Sequence, residues 1–264
     1  MFLRNLCHGL MLTALALTGA AHAEVYQAGG TQWRPFSYED EQGNLRGIST
    51  DIVRRVLQQA NIEAQFVSYP VNRLQAMLGK AELDMNYADS VQWNSPEELQ
   101  HFVFSEPYLR VKEHLYVLKG SPAGKIPLDK LRGLTVGTVR GYTYLTMDPS
   151  FADKRLVELE TSEDPALLQL LLAKRVDAIA MVDDLFDYLV AEHRMDPDLF
   201  ERGASLSDSA ISIKLQPELV SLLPGINKAI RAMIESGEVE RIRTSYLSSY
   251  AAVLMPRTDA FRKP

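Results

Sequence analysis

Apolar positions along this chain repeat with two periods that take turns, and this alternation is its first structural message. Short apolar or β-branched runs of strand length occupy 25–28, 64–69, 83–88, 114–118, 135–139, 156–159, 178–182 and 211–215. Helix-period stripes fall between them. In 51–60, Ile52, Val53, Val56, Leu57 and Ala60 fall on one face, with Ser49 or Thr50 expected as the cap. Pro165 opens a second helix behind Glu163 and Asp164, an arrangement that suits the helix dipole. A third is predicted over 217–236, closed by Gly237, and Val239, Ile242, Tyr246 and Leu247 carry a fourth. Strands alternating with helices predict an α/β protein, in which ligands bind beyond the carboxyl ends of the strands.

One block of this pattern occurs twice. Leu74-Gln75-Ala76-Met77-Leu78-Gly79-Lys80 leads through Leu83-Asp84 to Met85-Asn86-Tyr87-Ala88-Asp89. Leu168-Gln169-Leu170-Leu171-Leu172-Ala173-Lys174 leads through Val176-Asp177 to Ala178-Ile179-Ala180-Met181-Val182-Asp183. Each reads as an amphipathic helix, a tight turn, a buried strand and an acid near the strand's carboxyl end, which predicts two lobes. Turn-rich stretches at 119–124 and 203–209 suggest the crossings, giving one lobe over 24–117 plus 209–264 and another over 118–208.

The amino-terminal segment reads as an export signal. Arg4 precedes an apolar run over 10–17 that is too short to span a bilayer, and Ala21 and Ala23 supply an A-x-A cleavage site. Residues 1–23 are therefore expected to be removed, leaving a periplasmic chain. The single cysteine, Cys7, lies in that segment ahead of the apolar run, so neither a lipid anchor nor a disulfide is expected. The formal charge of −6 becomes one unit more acidic without Arg4, which argues against nucleic acid as a partner.

Several motifs, in order, resemble the family 3 extracytoplasmic solute-binding proteins. They are Pro35-Phe36-Ser37-Tyr38, Asp40-Glu41-Gln42-Gly43-Asn44-Leu45-Arg46-Gly47, Phe104-Ser105-Glu106-Pro107-Tyr108 and Val136-Gly137-Thr138-Val139-Arg140-Gly141. The resemblance implies a type II periplasmic-binding-protein clamp of two lobes joined by two short crossovers, closing on a small polar solute for the permease of an ABC importer. It places Phe36 against the ligand, with Tyr38 and Trp33 completing an aromatic group. It assigns Asp89 and Ser90 to a strand-end loop contacting the solute, and Arg140, Tyr142 and Thr143 to an anion-binding loop. Asp183 lies beside the position that receives a ligand amino group, with Val182 at the strict spacing. Arg73 stands where some members carry an arginine, although Val71 replaces the aromatic that precedes it.

One departure concerns the ligand. Where amino-acid-binding relatives carry an arginine for the ligand carboxylate, this chain reads Ser95-Pro96-Glu97-Glu98, and a glutamate there would repel a carboxylate. Either two extra residues re-aim the loop, or Arg140 holds the carboxylate alone, or the ligand lacks it; the expected solute is not an ordinary amino acid. Two other readings keep the fold. One is a cyclohexadienyl-type dehydratase using Glu98, Asp89 or Asp183 as the acid, and the other is a sensory module for a membrane receptor. The scattered histidines show no metal-ligand spacing, and no nucleophile elbow or nucleotide loop is present, so no cofactor or metal is expected.

Overall fold

The computed structural model describes residues 24–254, with side chains described to residue 248; the expected signal segment and the tail beyond lie outside the described residues. Among the described residues eleven strands occur in the order β1 (Val25–Gly30), β2 (Tyr38–Glu39), β3 (Leu45–Arg46), β4 (Glu63–Ser68), β5 (Met85–Asp89), β6 (Val103–Phe104), β7 (Leu109–Leu118), β8 (Thr135–Val139), β9 (Val157–Thr161), β10 (Ala178–Val182) and β11 (Phe200–Leu215). The helices are α1 (Ile48–Gln59), α2 (Val71–Gly79), α3 (Pro96–His101), α4 (Asp148–Ala152), α5 (Asp164–Leu172), α6 (Asp183–Glu192), α7 (Leu223–Glu235) and α8 (Glu238–Leu254).

The main strands run β4-β1-β5-β11-β7-β10-β8-β9, with β6 beside β11. The first lobe is built on β4, β1 and β5, parallel to one another, with the carboxyl end of β11 antiparallel to β5. The second is built on β10, β8 and β9, also parallel, with β7 antiparallel to both β10 and β11. Residues 109–117, grouped with the first lobe from sequence, thus hydrogen-bond within the second sheet.

The stretch 203–209, read from sequence as a turn, is a correction: it lies inside the long strand β11. Its small polar residues pair with β7 through register shifts between Arg202 and Ser205 and between Ser205 and Ser207. The bulges explain the misleading composition, because they accommodate extra residues without ending the ladder. The ribbon continues into the first lobe through the Phe104–Tyr108 motif. The Ser105 amide donates to the Ile213 carbonyl at 2.9 Å, and the Tyr108 amide donates to the Ile211 carbonyl at 2.9 Å. The Ser105 hydroxyl accepts the Ile213 amide at 2.9 Å, while the buried Tyr108 hydroxyl donates to the Tyr87 carbonyl at 2.7 Å. The motif is where two hydrogen-bonded strands pass from one sheet into the other.

Helix α1 begins earlier than its cap residues suggested. Ser49 and Thr50 are buried in the first turn and donate their amides to the Phe36 carbonyl, at 2.9 and 3.2 Å. Gly47 precedes the helix at φ +129, and a Cβ there would lie 2.3 Å from that carbonyl oxygen. The stripe Ile48, Ile52, Val53, Val56 and Leu57 is buried, as the helical period requires. The helix predicted over 217–236 is instead a 3₁₀ stretch, Pro217–Leu222, followed by α7. Pro224 sits in the first turn of α7, where its missing amide costs nothing; inside a longer helix it would break a bond.

The sequence echo is a repeated βαβ unit. Helix α2 starts at Val71 and α5 at Asp164, and β5 starts at Met85 and β10 at Ala178; both separations are 93 positions. Left-handed Ala81 and Lys174 follow the two helices at the same spacing. Asp89 therefore corresponds to Val182, and Asp183 is already the first residue of α6.

Candidate functional site

The carboxyl ends of β5 and β10 meet at the cleft between the lobes, where the side chains enclose a cavity of about 110 Å³. The first lobe contributes Thr31, Trp33, Gln75, Asn86, Asp89 and Trp93; the second contributes Glu113, Tyr142, Thr143, Tyr144, Asp164 and Met181. The lobes also touch directly. The Thr143 hydroxyl donates to the Trp93 carbonyl at 3.3 Å, and an Arg34 Nη1 donates to the Tyr188 hydroxyl at 3.0 Å. The Arg243 guanidinium donates to both Asp184 oxygens, at 3.1 and 2.9 Å.

Of the residues singled out from sequence, Asp89, Tyr142 and Thr143 line this cavity, as do Trp33 and Val182, the alternative to Asp183. Phe36 is wholly buried behind it, tilted against Trp33 with ring centroids 4.2 Å apart, and Trp33 in turn meets Trp93 edge-on at 5.9 Å. Tyr38 lies under the Arg34 guanidinium at 4.3 Å and against Tyr246, and is not part of the cavity lining. Ser90 is buried, and its hydroxyl accepts the Gln92 amide to cap a short 3₁₀ turn. Arg73 stacks over Tyr69 at 4.7 Å. Arg140 is exposed and pairs with Glu160 at 3.3 Å, while its neighbour Gly141 takes the lip of the cavity at φ +88. Asp183 accepts from the Tyr116 hydroxyl at 2.7 Å, pairs with His114 at 2.7 Å, and lies 3.6 Å from Arg202.

Glu98 does not face the cleft either. Its carboxylate accepts the Ser95 amide at 2.9 Å while the Ser95 hydroxyl accepts the Glu98 amide at 3.2 Å, a capping box that starts α3. The same carboxylate pairs with Lys214 at 3.2 Å. Burial acts to raise its pKa, but the Ser95 amide and the Lys214 ammonium outweigh it and hold the group below the usual carboxylate range. Lys214 is fully buried, donates also to Asn94, lies 3.7 Å from Asp89 and sits over the Phe102 ring at 4.3 Å. Strand alternation alone would turn Lys214 to solvent, so sequence reasoning missed it.

Asp89 is nearly fully buried, with one oxygen accepting the Ser90 amide and Asn94 side chain and the other the Asn86 side chain. Burial raises its pKa despite Lys214 and these donors. Two further acids went unnoticed from sequence as site residues. Glu113, in the middle of β7, accepts only the Ser207 hydroxyl among the described contacts, at 3.3 Å, and burial with nearby Asp164 and Asp183 pushes it up to about 7. Asp164, first residue of α5, accepts the Tyr142 hydroxyl at 3.1 Å and is pushed up to about 7, chiefly by burial. Glu113 gave little signal of its own, because it stands between Lys112 and His114 in the polar half of β7. Asp164 was concealed by its ordinary place at a helix start.

No group of three or more acids, histidines or cysteines is arranged to hold a metal, and no helix is long and apolar enough to cross a membrane, among the described residues. The histidine-binding periplasmic protein of Escherichia coli K12 is 22% identical over 220 residues, covering 81% of this chain and 84% of its own. An ancestral arginine-binding protein bound to arginine superposes with a TM-score of 0.72 at 22% identity, covering 85% of this chain and 99% of its own. A histidine kinase sensor domain with similarity to periplasmic binding proteins gives 0.70 at 20% identity, covering 84% and 96%. These likenesses agree with the two-lobed α/β architecture and its interlobe cleft. With the family model matched over residues 28–249, the chain belongs to the bacterial extracellular solute-binding proteins, family 3.

Proposed function

We propose that this protein works in the periplasm as the capturing component of an ABC importer, released from a signal segment cut after Ala23. A small solute enters the interlobe cleft and is held between Trp33, Asp89 and Trp93 on one side and Tyr142 and Thr143 on the other. Closure follows because the solute makes contacts with both lobes at once, and only that extra affinity for the closed state shifts the population. The observation that carries this reading is the cavity where the ends of β5 and β10 converge, walled by aromatic and polar side chains from both lobes.

Binding rather than catalysis fits the lining. A dehydratase acting on a dicarboxylate needs cationic side chains around its substrate, and no Lys, Arg or His lines this cavity among the described residues. Glu98, a candidate acid for such a reaction, is engaged with Ser95 and Lys214.

The chain has two tryptophans, and both line the cavity, so their emission reports directly on occupancy. Ligand-free protein, prepared by unfolding and refolding in dialysis, is expected to change its emission with a small-molecule fraction of an extract of the producing cells. Native mass spectrometry should then show one bound small molecule. An emission that no fraction changes would overturn the solute-binding reading.

A further inference from the structure

We propose that the solute is an organic cation carrying no carboxylate, an amine or guanidine whose charge is met by Glu113 and Asp164 between aromatic walls. This deepens the solute-binding reading and rests on it.

The charge pattern of the cleft is one-sided. Asp89, Glu113 and Asp164 line the cavity. A second, more open cavity of about 280 Å³ continues past Trp93, Glu113, Thr143 and Ser207 and adds Asp208. No Lys, Arg or His lines either one among the described residues. Of the acids, Asp89 is served by Lys214 and three neutral donors, and Asp208 by Arg110 at 3.0 Å. Glu113 and Asp164 make no ion pair among the described residues; each accepts one hydroxyl hydrogen bond, from Ser207 and from Tyr142. Asp164 is buried and Glu113 half-buried, and a carboxylate withdrawn from water without a cation either takes up a proton or acquires a positive partner. Burial, with no cation paired to either group among the described residues, pushes both up to about 7.

The remaining lining suits the same ligand. Trp33, Trp93, Tyr142 and Tyr144 surround the cavity, and aromatic rings attract organic cations through their negative faces. A ligand carboxylate would find the reverse: no guanidinium for a bidentate bond and three carboxylates nearby. Lys214, the buried lysine nearest the cavity among the described residues, is engaged by Asp89 and Glu98 and does not join the lining.

The test compares pairs of probes that differ by a carboxylate alone. Agmatine with arginine, putrescine with ornithine, cadaverine with lysine and histamine with histidine are titrated calorimetrically into refolded, ligand-free protein. At least one amine is expected to bind about tenfold or more tightly than its amino acid, roughly 1.4 kcal/mol. Asp164→Asn and Glu113→Gln should each weaken that amine by about tenfold or more. An amino acid that equals or exceeds its amine overturns the proposal. If no pair binds, the solute carried by the native protein decides: a carboxylate-free cation supports the inference, whereas an acid, zwitterion or neutral molecule overturns it and leaves the solute-binding reading intact. Failure of every cell-extract fraction to bind overturns both.

Discussion

Lys214→Met removes a cation that has no route to water. Lys214 is fully buried, 3.2 Å from Glu98 and 3.7 Å from Asp89. The Glu98 side chain is 39% exposed, so water screens that pair and its loss counts for little. Asp89 is the partner that matters, with a side chain only 4% exposed. At an effective dielectric of about 20, two unit charges 3.7 Å apart attract by roughly 4.5 kcal/mol. Methionine fills a similar volume, which limits any packing loss. Breaking a buried pair from one side typically costs about 3–5 kcal/mol, and that loss is expected in urea unfolding near neutral pH. The sign with pH follows from Asp89. Its folded pKa is already raised by burial, and removing Lys214 raises it further. Protonation then relieves the stranded charge, recovering about 1.4 kcal/mol for each pH unit between the new pKa and the wild-type one. The destabilisation should therefore shrink as the solution is acidified. A loss below about 1 kcal/mol, or one that is identical at acid and neutral pH, would refute the assignment of Lys214 as the counterion of Asp89.

Other consequences can be measured on the same preparation. Glu113 and Asp164, both raised to about 7, bind protons in the folded state that the unfolded chain has released. The contribution of each to stability is greatest below the ordinary carboxylate range, falls by about 4 kcal/mol as pH rises to about 7, and is level above it. Glu113 also faces Asp148 and Asp183, and Asp164 faces Glu163, all of the same sign. Urea midpoints across that range should fall, and Glu113→Gln should flatten the slope; a wild-type midpoint that rises with pH contradicts this account. Gly47→Ala drives a methyl group against the Phe36 carbonyl in left-handed backbone and should cost about 3 kcal/mol by chemical denaturation, with a cost under about 1 kcal/mol showing that the loop yields. Phe36→Ala deletes a fully buried ring and should lose about 3–5 kcal/mol of stability, measured the same way; an unchanged midpoint would place the ring outside the core.

Local periodicity carried much of the fold. Strands β8 and β10 fall where their apolar runs stand, because each is covered on both faces and reads as continuous hydrophobicity. The turn-like composition of 203–209 misled because small residues in β11 leave room beside β7, and their pairing comes from a strand about 90 positions away. No window of sequence contains that information. The site divided along a similar line. Asp89, Tyr142 and Thr143 sit at strand ends, where topology alone says ligands bind. Glu113, Asp164 and Lys214 owe their importance to what other elements place around them. The direction of Glu98 was equally hidden, since its partners are Ser95, three residues away, and Lys214, on a distant strand.

The paired strands at the crossing have a mechanical meaning. From Val103 to Leu118 the chain, through β6 and β7, stays hydrogen-bonded to its partner from Leu215 back to Phe200, through both sheets. A ladder of this kind resists sliding, because slip by one residue would break every rung and turn each side chain to the opposite face. It yields to bending and twist. The two halves of the molecule are thus coupled like leaves on a sprung strip, whose angle changes more easily than its register.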